Sequence, residues 1–178
     1  MAEEIVTEER LSAGHDYWIA LRELGLAPEA LLWTVPEKNV NGLTVQVPHK
    51  VDPWNLELSL VSGLVDVYGA KEIYELLYLA FERAGTPKNF DPWIISLYGT
   101  KSDFAELLPN APFFEGGELV ALGDQGTRIS ATVPDWNVVY DRKFQSDWVY
   151  VRPKFRKDRQ WLSRSMFRLR RNVEALAA

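Results

Sequence analysis

The sequence predicts an α+β fold: an antiparallel sheet, built from an N-terminal hairpin and a C-terminal meander of about four strands. Several helices pack on it, and an amphipathic basic helix closes the chain. Three observations predict this. Apolar residues recur at three- and four-residue spacing over 11–24, 71–84 and 157–176, the period of a helix with one buried face. Short alternating runs bounded by Gly, Pro, Asn and Asp occupy much of the remainder. The links between the last of these runs are only a few residues long, which favours antiparallel neighbours. The chain has 178 residues and no shift of composition, so residues 1–178 are read as one α+β domain.

Leu11 to Leu24 places Leu11, Gly14, Trp18, Leu21 and Leu24 on one helical face. Ser12 is a candidate N-cap, and Gly25 suits the left-handed position past the C-terminus. Pro28 is expected to open one short turn through Leu32. Leu32–Val35 and Leu43–Val47 flank the turn dipeptide Asn41-Gly42 and read as a hairpin with a long loop. Trp54 to Tyr68 carries both periods. Leu56, Leu58 and Leu60 alternate as in a strand, whereas Trp54, Leu58, Val61, Val65 and Tyr68 make a helical stripe. Helix is preferred, because Asp52-Pro53 is a start signal.

That signal occurs twice, as Asp52-Pro53-Trp54 and Asp91-Pro92-Trp93. Aspartate can accept bonds from free helix N–H groups, and proline suits the first helical position. The copies diverge at once afterwards, so they are read as two helix starts rather than one repeated ligand site. Lys71–Ala84 is a helix stopped by Gly85 and Pro87. Pro92–Leu108 is expected to hold one or two short helices broken at Gly99. The meander comprises 118–123, 127–133, 138–144 and 148–152, with turns at 124–126, 134–137 and 145–147.

Charge is the most informative feature. The net formal charge is −5, but residues 152–171 hold nine Lys or Arg and one acid, giving +8, while residues 1–151 hold 11 basic and 23 acidic residues, giving −12. In the last helix Leu162, Met166, Leu169, Val173 and Leu176 form an apolar stripe. Lys157, Arg164, Arg168 and Arg171 lie opposite, with Trp161 and Phe167 flanking them. A solvated face, or arginines paired with the acidic body, would account for this pattern without any function. A protein partner or a second copy would use Trp161, Arg164, Phe167, Arg168 and Arg171 as an interface, since Arg and aromatic residues are enriched there. Nucleic acid would use the same residues for phosphates and stacking, against repulsion from the acidic remainder. A membrane-surface helix is a further alternative.

Catalytic signals are sparse. His15-Asp16 and His49 with Asp52 could form a metal-dependent hydrolase site only if the fold gathers all four. Gly99-Thr100-Lys101-Ser102 lacks the upstream glycine and the Gly-Lys pair of a phosphate loop. No catalytic, cofactor or metal residue is therefore assigned. The chain has no cysteine, so it holds no disulfide. It has no apolar run of membrane-spanning length, and its acidic start is unlike a secretion signal. The expectation is a cytoplasmic, non-catalytic interaction protein, such as an adaptor, inhibitor, chaperone-like factor or assembly subunit, acting through the C-terminal helix.

Overall fold

The computed structural model describes residues 5–36, 55–84, 92–111, 136–155 and 158–176. The chain begins with α1 (Glu8–Leu24), followed by β1 (Ala30–Pro36), β2 (Glu57–Val61), α2 (Gly63–Tyr68) and α3 (Ala70–Ala84). After a 3₁₀ turn at Pro92–Ile94 come β3 (Ile95–Tyr98) and α4 (Asp103–Leu107). The described chain ends with β4 (Trp136–Val139), β5 (Arg142–Gln145), β6 (Val149–Val151) and α5 (Arg159–Ala175). Helices and a sheet thus occur in one α+β arrangement.

The sheet is mixed, which corrects the antiparallel expectation. Its order is β3-β2-β1-β5-β4, with β6 also on β1. Among the described residues all pairs are antiparallel except β2 with β3, which is parallel from Leu58↔Ile95 to Val61↔Tyr98. A parallel pair needs a long crossover, and α2 and α3 supply it. β1 is the common partner. It pairs with β2 along Ala30–Thr34, with β6 at Leu31 and Leu32, and with β5 at Val35 and Pro36.

Other departures have local causes. α1 starts earlier than expected, because Thr7 caps it and accepts a bond from the Arg10 N–H at 3.3 Å. Gly25 does end it, at φ 94°. The turn expected at Pro28–Leu32 is displaced by β1, whose residues Ala30 to Val35 are all buried. The helix preferred for 54–68 is corrected in its first half, and among the described residues only Gly63–Tyr68 is helical. Glu57–Val61 is a strand buried at every position, and Ser62 then caps α2 by accepting from the Leu64 N–H at 3.1 Å. Ile95–Tyr98 is likewise a strand rather than helix.

The expected strand 138–144 is two strands joined at Tyr140, which has φ 56°. Trp136 and Asn137 therefore belong to β4, not to a turn. The second hairpin arm at 43–47, the meander strands at 118–123 and 127–133, and the first Asp-Pro-Trp lie outside the described residues. Of the second copy, Pro92 and Trp93 open the 3₁₀ turn.

Strand register sorts the sheet into two faces. Leu31, Trp33, Leu58, Leu60 and Ile95 share one, which meets the helices. There the Trp33 indole N–H donates to the Tyr150 hydroxyl at 2.9 Å, which donates to the Leu11 carbonyl of α1 at 2.6 Å. The other face carries polar groups that are also buried: Thr34, Glu57, Ser59 and Arg142. Tyr74 of α3 closes the outer edge of β3. Its hydroxyl donates to the Ile95 carbonyl at 2.5 Å and accepts from the Leu97 N–H at 3.2 Å, occupying groups a further strand would use.

Candidate interaction surface

The C-terminal helix is positioned by both ends of its side-chain pattern. Asp158 caps it, accepting from the Gln160 and Trp161 N–H groups at 2.9 and 3.4 Å. Leu162, Met166, Leu169 and Val173 are buried against the core, as the stripe predicts, and Leu176 is half-buried. Polar ties fix its rotation. Asn172 donates to the Leu24 carbonyl at 3.0 Å, Ser165 to the Gly25 carbonyl at 3.1 Å, and Arg83 to the Val173 carbonyl at 3.1 Å. A Cβ added at Gly25 would lie 2.8 Å from the Arg168 side chain, so helix and turn are in close contact.

With that rotation fixed, Arg164, Phe167, Arg168 and Arg171 are exposed, and Trp161 is half-buried at one end. Phe167 is 66% exposed. Arg171 lies over its ring, 5.9 Å from the centroid. Arg164 donates back to its own helix, at the Gln160 carbonyl. Among the described residues, no carboxylate pairs with Arg164, Arg168 or Arg171. Arg170 behaves differently: it pairs with Glu72 of α3 and lies 5.3 Å from the Tyr68 ring centroid. The expected contact between arginines and acidic body is therefore made by Arg170, one position outside the open face.

Residues remote in sequence extend the strip. Arg22 of α1, itself 5.7 Å from the Trp18 ring centroid, joins Trp161, Arg164 and Arg168 around a shallow cavity of about 390 Å³. Beyond Trp161, Arg152 and Lys154 line a second hollow of about 440 Å³. Nothing near Arg22 in sequence signals this, since the fold alone brings it to α5. Guanidinium groups in such a row can each form paired hydrogen bonds to carboxylate or phosphate oxygens.

A second surface was not foreseen. Tyr78, Leu79, Trp93 and Ile95 wall a groove of about 860 Å³ between α3 and β3, rimmed by Glu75, Glu82 and Lys71. Tyr78 and Trp93 meet with their rings tilted at 58° and centroids 5.6 Å apart, and are 39% and 53% exposed. At its inner end Glu57 accepts from the Ser96 hydroxyl at 2.5 Å and meets the Arg142 guanidinium at 3.4 Å. Arg142 also donates to the Thr34 hydroxyl and carbonyl, both at 2.9 Å, and to the Asn55 carbonyl at 3.3 Å. Burial, with the Glu57 carboxylate adding to it, pushes the Tyr98 phenol up to about 12. Burial also raises Tyr74 above its ordinary value.

The residues weighed for metal chemistry are not seen together. His15 stands edge-on to Trp18 at 5.8 Å, and His49 and Asp52 lie outside the described residues. Among the described residues, no three His, Asp or Glu side chains are grouped to hold a metal, and no helix is long and apolar enough to cross a membrane. Comparisons with family models, with curated proteins and with solved structures each find no match to this chain.

Proposed function

We propose that this chain is a non-catalytic interaction protein of the cytoplasm, docking an acidic protein surface onto the exposed face of α5. The observation that carries the reading is Phe167 held in solvent among three arginines that have no carboxylate partner among the described residues. Complete burial of a phenylalanine contributes about 1.5–3 kcal/mol, which this position forgoes in the isolated chain. Arginines beside an open aromatic are the side chains that protein interfaces concentrate. A phosphate backbone would engage the same forks, but the strongly acidic remainder of the chain opposes it.

The test replaces Arg164, Arg168 and Arg171 together by Ser in the full chain carrying an affinity tag. Proteins that co-purify with the unaltered chain should be lost from the variant, while its circular dichroism is retained. An unchanged set of co-purifying proteins would sink the proposal. Single-stranded DNA binding that falls steeply between 50 and about 200 mM salt would replace it with the nucleic-acid reading.

A further inference from the structure

The two open surfaces of the molecule match each other. On α5 the exposed face reads Arg164, Phe167, Arg168, Arg171, and on α3 the groove side reads Glu75, Tyr78, Leu79, Glu82. The steps are identical, three, one and three residues, so both patterns span about 10 Å of helix. Laid antiparallel, the helices bring Arg164 to Glu82, Phe167 to Leu79, Arg168 to Tyr78 and Arg171 to Glu75. Each meeting is favourable in kind: two ion pairs, one apolar contact, and one guanidinium over an aromatic ring. One turn further, Glu174 falls opposite Glu72, whose charge Arg170 of its own chain already offsets, so the complementary stretch is the four positions from Glu75 to Glu82.

The same chain cannot satisfy this match internally. α3 and α5 already pack together through other sides, tied by Arg170 with Glu72 and by Arg83 with the Val173 carbonyl. Glu75, Tyr78 and Glu82 remain exposed beside that contact, with the Lys71 ammonium 3.8 Å from Glu75. The groove also offers what an incoming Phe167 needs, an apolar wall at Tyr78, Leu79 and Trp93 inside an acidic rim.

We infer that the occupant of the α3 groove is the α5 face of a second copy of this chain. The inference rests on the proposed interaction role of α5 and names the partner. Each copy then carries one basic face and one acidic groove. Because the two patches differ, association is set by charge sign at defined positions rather than by a self-complementary patch.

The test is sedimentation equilibrium of the full chain from about 1 μM to about 1 mM, a range that brackets weak association. The unaltered chain should gain mass with concentration, and less so at high salt. Arg164→Glu/Arg168→Glu/Arg171→Glu, and separately Glu75→Arg/Glu82→Arg, should each weaken association at least about tenfold. An equimolar mixture of the two variants should regain it, because the acidic helix of one now fits the basic groove of the other. Phe167→Ser, with no charge change, should weaken association of that chain with itself, and a mixture with the α5 reversal should not regain it; it serves if a reversed variant fails to fold.

A chain that stays monomeric throughout overturns the inference. So does association that survives both reversals, or reversals that weaken it without recovery on mixing. These failures are separable from failure of the proposed function. A monomeric chain whose Arg→Ser variant still loses other proteins removes self-association alone, whereas an unchanged set of co-purifying proteins removes the role of α5 itself.

Discussion

Arg142→Met is the substitution that most directly probes the polar face of the sheet. Arg142 is buried, as is Glu57, and the two charges lie 3.4 Å apart. The substitution removes that contact together with the bonds to the Thr34 hydroxyl, the Thr34 carbonyl and the Asn55 carbonyl. A buried pair broken from one side typically costs about 3–5 kcal/mol, because the remaining charge is left without compensation. Against a total stability of about 5–15 kcal/mol, that is about a fifth or more of the folded state's margin.

Urea unfolding followed by tryptophan fluorescence gives the measurement. With a slope of about 2 kcal/mol per molar, a loss of 4 kcal/mol moves the midpoint by about 2 M. Glu57→Gln added to Arg142→Met should restore at least about 1 kcal/mol, since a neutral amide replaces a buried carboxylate that has lost its cation. A loss below about 1 kcal/mol in Arg142→Met, or no recovery in the double variant, would refute the view of these residues as a mutually dependent buried pair.

Three further outcomes are expected. Gly25→Ala should destabilise by about 1–2 kcal/mol in thermal unfolding, because the turn has φ 94° and the new methyl meets the Arg168 stem. Tyr74→Phe should cost about 1–3 kcal/mol and speed hydrogen exchange at the Leu97 amide, whose N–H loses its acceptor. Stability should decline as pH rises from about 10 toward 12. Tyr98 keeps its proton up to about 12 when folded, whereas the unfolded phenol releases it near 10, so the unfolded state gains over that interval. Tyrosinate absorbance measured beside urea unfolding at each pH checks this, and a flat profile contradicts the burial of Tyr98.

Elements whose information is local were legible in the sequence. α3 and α5 each bury one apolar stripe, and a 3.6-residue period reports that directly. Gly25 was legible for the same reason, because a left-handed C-cap is a one-residue requirement. The β2–α2 boundary was not. Leu56, Leu58, Leu60 and Leu64 satisfy the two periods together, and a strand buried on both faces lacks the polar alternation that would separate them. β3 is four residues long, too short for a period to emerge. At the surface, the α5 face could be read from its arginines alone. Arg22 and the α3 groove could not, since what gives them meaning is adjacency to residues far away along the chain.

β1 pairs on one side with a strand 25 or so residues downstream and on the other with strands more than 100 residues away, as the Thr34–Arg142 separation of 108 shows. At about 5–20 residues per second of synthesis, one edge of this largely apolar strand waits several seconds for its partners to exist. Folding of the sheet is thus a late, long-range closure, slow in the manner of high contact-order topologies. During that interval the nascent chain presents Leu31, Leu32 and Trp33 on an unsatisfied edge, which makes β1 the segment where a holding chaperone or a misassociating neighbour would first take hold.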